Sequence, residues 1–151
     1  VRRALAALAP QARDDDWVLV HDAARPCVRL SDIARLVECV RAGRDGGLLA
    51  MPAIDTVKQA AADGRVAATL PREQLWLAAT PQMFRYADLC RALDAAEADG
   101  VIVTDEAQAM ERSGAQPQLV PCARDNIKVT RPEDLRLAAF LLQRQQEEGD
   151  A

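Results

Sequence analysis

Trp17-Val18-Leu19-Val20-His21-Asp22-Ala23-Ala24-Arg25-Pro26 is the stretch on which the reading of this chain turns. An apolar run, WVLV, stops abruptly on the polar and charged turn HDAARP. In an open parallel α/β sheet such a junction is a carboxyl-end edge, where ligands bind. The turn sets a carboxylate close in sequence to a guanidinium, with Ala23 and Ala24 small enough to let a ligand approach. Asp22 can hold a divalent cation or accept from sugar hydroxyls, and Arg25 can grip phosphate or lock Asp22 in place. The plainer alternative is a local Asp22–Arg25 ion pair that stiffens a turn and contributes little to stability.

Working outward, residues 1–9 read as a helical tail closed by Pro10 and a polar loop. After the HDAARP turn, Ser31 is a candidate helix cap, and Ile33, Leu36, Val37 and Val40 form one apolar stripe. Residues 46–52 (GGLLAMP) read as a buried strand, so 17–52 is expected to be a strand-helix-strand unit with a parallel pair. Residues 54–60 and 65–70 flank Ala62-Asp63-Gly64, a hairpin signal, and both arms are mixed in polarity. This predicts a protruding two-stranded arm within 53–74; a lone hairpin is marginal in water, so it should lie against something, such as a second subunit. Residues 75–79 form the next expected strand, ending on Thr80-Pro81-Gln82, and a helix follows over 86–99. Thr104 is expected to cap a helix that runs to about Ser113. Residues 118–121 and 126–129 are expected as short strands. Thr130-Arg131-Pro132-Glu133 reads as a capping box opening a last helix with Leu135, Ala138, Ala139 and Leu142 inward, and the tail 143–151 is expected to fray.

The 151 residues suit a single domain, 1–151, able to bury about 68–70% of its unfolded surface. Half are hydrophobic and 28% charged, as in ordinary globular proteins. A net charge of −4 and a pI near 5.0 argue against a general nucleic-acid or acidic-membrane binder, while leaving room for a small anionic substrate met by a local basic cluster. No run approaches the ~20 apolar residues of a membrane span. Cys27, Cys39, Cys90 and Cys122 are scattered and read as free thiols of a cytoplasmic protein. The chain opens Val1-Arg2-Arg3 inside a helical pattern, which suggests a lost front end.

Each candidate site residue has a bland counterpart. Lys128, alternating with Ile127 and Val129, points either into a ligand crevice or to solvent. Thr80 could donate to phosphate or be a pre-proline turn residue. Thr104 could bind a ligand hydroxyl, although capping explains it fully. Arg72 follows the arm and could simply pair with Glu73; Thr56 and Lys58 could be ordinary exposed strand residues. His21, the sole histidine, reads as a hydrogen-bonded packing residue. Taken together, basic groups, hydroxyls and a carboxylate at strand ends suit a phosphorylated polyol.

In order, HDAARP, GGLLAMPAIDTVK, LWLAATPQMF, TDEAQAME and DNIKVTRPEDL resemble the 2-C-methyl-D-erythritol 4-phosphate cytidylyltransferase family, from about residue 1 to residue 142. Ribitol-5-phosphate cytidylyltransferase shares much of the pattern. The resemblance implies a Rossmann-like nucleotidyltransferase sheet with the β-arm, a homodimer whose arms embrace, and transfer of CMP from CTP to the polyol phosphate with release of pyrophosphate. Mg²⁺ would be bound mainly through the CTP phosphates. It further implies that Arg72 and Lys128 position the substrate phosphate for attack and that Thr56 and Arg72 reach it from the partner's arm. Thr80 would support the phosphate, and Asp22, Arg25 and Thr104 would contact polyol hydroxyls. Asp22 and Ala23 would border the nucleotide, with Asp22 a candidate metal ligand. The family's glycine-rich triphosphate loop is not in this sequence. The chain is therefore expected to be an N-terminally truncated domain with an incomplete sheet that binds CTP poorly and does not turn over alone. A competing reading is a non-catalytic dimerisation or ligand-binding module that lost the loop.

Overall fold

The computed structural model describes residues 1–43 and 45–149. In chain order they form α1 (Arg2–Leu8), β1 (Trp17–Val20), α2 (Leu30–Arg41), β2 (Gly47–Pro52), β3 (Val57–Ala60), β4 (Val66–Leu70), β5 (Trp76–Arg85), α3 (Tyr86–Ala98), α4 (Glu106–Arg112), β6 (Gln118–Pro121) and α5 (Asp134–Glu148).

The main sheet has the strand order β1-β5-β2-β6. β5 runs antiparallel to both β1 and β2, and β6 runs parallel to β2. The expected parallel pair of β1 and β2 is therefore corrected. The two strands share a direction, but β5 lies between them. β5 also continues well past the expected end at Ala79, running to Arg85, because Gln82, Met83, Phe84 and Arg85 still pair with β1. The expectation of an incomplete sheet is corrected too: the described residues build a four-stranded mixed sheet covered by helices.

Strand alternation sorts the core into two layers. Leu48 and Phe84 face Leu5, Leu89, Leu93 and Met110, from α1, α3 and α4. Leu49 and Met83 face Leu36 and Val40 of α2. Burying a side chain such as Phe84 stabilises by roughly 1.5–3 kcal/mol. Close approach explains Gly47: a Cβ there would stand 2.7 Å from the Gln118 carbonyl and 2.8 Å from Val40. Where β2 and β5 pair, the register shifts between Leu48 and Ala50. The opposing segment of β5 holds Thr80, and irregularities of this kind re-aim side chains beside functional sites.

Several local expectations change. Ser31 lies inside α2, whose N-cap is Arg29. Asp105, rather than Thr104, caps α4, its Oδ1 accepting the Gln108 N–H at 2.9 Å. Asp134, rather than Glu133, takes the orphan amides ahead of α5, accepting from the Thr130 and Arg131 N–H groups. Residues 126–129 pair with no strand; one backbone bond, from the Val129 N–H to the Ala24 carbonyl (2.7 Å), holds them to the HDAARP turn. Leu135 and Ala139 are exposed, whereas residues 143–148 stay helical and Gln145 is buried. Residues 150–151 of the tail lie outside the described residues. The hairpin is present as a separate two-stranded sheet, β3 against β4, with Val66 64% exposed.

Candidate functional site

At the end of β1 the backbone turns, with the Arg25 N–H donating to the Asp22 carbonyl at 2.9 Å. Lys128 donates from Nζ to Asp22 Oδ2 at 2.9 Å, and Arg25 Nε lies 3.8 Å from the same oxygen. The hydrogen bond from Lys128, followed by its charge and that of Arg25, holds the Asp22 carboxyl below the usual carboxylate range despite partial burial. Asp22 and Lys128 remain 39% and 47% exposed, so this carboxylate–ammonium pair faces solvent and is open to a ligand.

Arg25 is occupied differently. Its side chain is only 12% exposed. It donates from Nη1 to the Asn126 carbonyl (2.8 Å) and from Nη2 to the Ala78 carbonyl (3.4 Å). Arg25 is thus a brace joining the turn, β5 and the 126–129 segment. Thr80 is similarly committed: its Oγ1 accepts the Asp22 N–H at 3.0 Å and lies 2.9 Å from His21 Nδ1. Ala23 is exposed within the turn, and its methyl side chain is too small to obstruct a ligand.

The other predicted residues stand apart from this cluster. Arg72 sits in a 3-10 turn, Arg72–Gln74, and its guanidinium closes on the Ile54 carbonyl rather than on Glu73. Thr56 is exposed just ahead of β3, and Lys58 donates to Thr69 Oγ1 across the hairpin at 2.7 Å. Thr104 is exposed, its N–H donating to Gln108 Oε1 at 2.7 Å. Among the described residues, no hydrogen bond or ion pair links Arg72, Thr56 or Thr104 to Asp22 or Lys128.

Three supporting residues escaped the sequence reading. Asn126 is fully buried, and its Nδ2 donates to the Thr80 carbonyl at 2.9 Å. Gln82, also buried, donates to Asp105 Oδ2 (3.0 Å) and accepts from the Ala107 N–H (2.8 Å), tying β5 to the start of α4. Gln145 donates to the Cys27 carbonyl and to Asp125, which also receives Arg29, so α5 anchors the turn ahead of Asn126. The clue to Asn126 lay in its place two residues before Lys128; Gln82 and Gln145 gave no signal without tertiary contacts. At the start of α4, burial, with the Asp105 and Asp22 charges adding to it, pushes the Glu106 carboxyl up.

Among the described residues, no cluster of three or more His, Cys, Asp or Glu could hold a metal ion. No helix among them is long and apolar enough to cross a membrane.

Comparison with known proteins matches residues 1–144 to the family model described as IspD: 2-C-methyl-D-erythritol 4-phosphate cytidylyltransferase. The Chromohalobacter salexigens enzyme of that name is 55% identical over 142 residues, 94% of this chain and 57% of that protein. Its Tolumonas auensis counterpart is 52% identical over 133 residues, covering 88% of this chain and 59% of that one. The solved structure of the Francisella tularensis enzyme superposes with a TM-score of 0.85 at 40% identity, covering 93% of this chain and 65% of that chain. The expectation of an incomplete sheet is corrected by these matches, which run over nearly the whole of this chain with the family's fold. The chain spans somewhat under two thirds of the length of the curated relatives it matches, 57% and 59% in these two. With the motifs, the fold and these matches in agreement, the chain belongs to the 2-C-methyl-D-erythritol 4-phosphate cytidylyltransferase family.

Proposed function

We propose that this chain serves in transferring CMP from CTP to 2-C-methyl-D-erythritol 4-phosphate, releasing pyrophosphate, in a cytoplasmic homodimer. The observation that carries the reading is the solvent-facing Asp22–Lys128 pair, braced from behind by Arg25 and Asn126. An ammonium beside a carboxylate suits a ligand bearing both phosphate and hydroxyl groups. Lys128 meets the phosphate and Asp22 accepts from polyol hydroxyls. Ala23 leaves room for the nucleotide, and Thr104 lies exposed where a hydroxyl of the substrate could reach it. Thr80 and Arg25 act here through the backbone they hold. Phosphoryl transfer gains most from positioning and charge stabilisation, which is what this arrangement offers the attacking phosphate.

Lys128 and Arg25 both engage Oδ2 of Asp22, which leaves Oδ1 for a hydroxyl or a metal. A single oxygen donor fits Mg²⁺ held chiefly by phosphates. When bound, that ion would neutralise charge on the CTP phosphates, and Asp22 is the residue here that would hold it. Residues 53–74 serve as the dimerisation arm, carrying Arg72 and Thr56 to the partner's substrate phosphate. The exposed, separately paired β3–β4 hairpin supports this reading.

Calorimetric titration with 2-C-methyl-D-erythritol 4-phosphate tests the proposal. Saturable binding is expected, weakened about tenfold or more in Lys128→Ala and in Asp22→Ala, in line with the loss of a charge-assisted contact. Ribitol 5-phosphate should bind more weakly. Absence of binding, or binding indifferent to both substitutions, would overturn the reading.

A further inference from the structure

His21 makes two hydrogen bonds whose directions can be deduced. Its Nε2 lies 3.0 Å from the Arg25 carbonyl oxygen. A carbonyl can only accept, so Nε2 carries the hydrogen. In the neutral ring Nδ1 is then an acceptor, and the group 2.9 Å from it is the Thr80 hydroxyl, which must donate. That leaves Thr80 Oγ1 with its lone pairs turned to the Asp22 N–H, 3.0 Å away. The ring therefore closes the turn at Arg25 and, through one hydroxyl, fixes the backbone of the residue whose carboxylate meets Lys128. It also uses up the hydroxyl hydrogen with which Thr80 would otherwise contact a phosphate.

We propose that His21 is a positioning residue of the Asp22–Lys128 site, acting through the Thr80 hydroxyl as a neutral, Nε2-protonated ring. The proposal deepens the function proposed above and takes the site from it, yet its own observables need no substrate.

Because His21 is the sole histidine, its ring nitrogens can be read without ambiguity in a long-range ¹H–¹⁵N spectrum of the whole chain. At neutral pH a protonated Nε2 and a bare Nδ1 are expected; the opposite tautomer would overturn the proposal with no variant needed. Amide exchange at Asp22 supplies the second readout. His21→Asn, which can set an acceptor near Nδ1, should stay within about twofold of the parent chain, and His21→Gln, which keeps only the Nε2-like donor, should exchange about tenfold faster, the worth of one hydrogen bond. Thr80→Val should match His21→Gln, and Thr80→Ser should restore protection. If Gln protects and Asn does not, closure of the turn at Arg25 is the whole role of the ring and the proposal fails. It fails equally if every variant exchanges like the parent. Titration with 2-C-methyl-D-erythritol 4-phosphate is run beside these measurements. A chain with the expected tautomer and exchange pattern that binds no polyol phosphate would sink the function and leave the positioning role standing.

Discussion

Asp22 and Lys128 are each too exposed for their pairing to add much stability, so its worth lies in what it offers a ligand. The lowered Asp22 carboxyl follows the usual sign for linkage: the stability it contributes is present above the ordinary carboxylate range and is lost as pH falls through its lowered native value. Lys128→Ala removes the largest cause of that lowering, so the Asp22 side chain, followed by carboxyl ¹³C NMR, should titrate at higher pH than in the parent chain. Asn126 is the opposite kind of residue, with no exposure and a buried partner. Asn126→Ala strips the Thr80 carbonyl of its donor, and denaturant melts should show a loss of about 1–3 kcal/mol. The contrast also explains what the sequence disclosed at this scale. Lys128 stood out only by its alternation with Ile127 and Val129, and Asp22 stood out because a charged residue at the end of an apolar run needs a reason to be there. Arg25 carried the same signal but proved to be a brace, since nothing in its local spacing revealed the carbonyls of Ala78 and Asn126.

At the scale of single elements, the start of α4 shows how tertiary contacts settle a local ambiguity. Thr104 and Asp105 are both good capping residues, and in sequence either would serve. Gln82, reaching from β5 to Asp105 Oδ2, selects the aspartate, and Gln108 answers by accepting the Thr104 N–H. Asp105→Ala should therefore cost about 1–2 kcal/mol in thermal or denaturant melts. One residue further on, Glu106 is pushed up chiefly by burial. A carboxyl raised in the native state contributes stability that is fully present below its unfolded value and fades as pH rises through the native one. Glu106→Gln should accordingly flatten the fall in melting temperature over that window. The helices and the hairpin were readable because apolar stripes and an Asp-Gly turn are local. The 126–129 segment was misread as a strand because alternation tells which way side chains point, not whether a neighbouring strand exists to pair with.

For the whole molecule, the order β1-β5-β2-β6 places late-arriving β5 between strands that sequence order would make neighbours. That insertion brings Thr80 and Ala78 behind the HDAARP turn, and it depends on contacts many residues apart, which periodicity cannot disclose. The arm stays outside this organisation. Among the described residues its hairpin pairs only with itself, and Arg72 spends its guanidinium on the Ile54 carbonyl within the arm's own base. If the arms embrace, Arg72 of one protomer completes the site built on Lys128 of the other. Mixing two defective variants distinguishes this from a site complete within one chain. Arg72→Ala and Lys128→Ala, each alone, should bind 2-C-methyl-D-erythritol 4-phosphate poorly. Unfolded together and refolded at equal amounts, they would form heterodimers as half of the population. Each heterodimer would then carry one site with both native residues and one with neither, so about a quarter of the tight sites should return, as twofold symmetry requires. A clean dimer by gel filtration with no recovered binding would show that Arg72 serves its own chain, and a monomer at micromolar concentration would remove the arm from the site altogether.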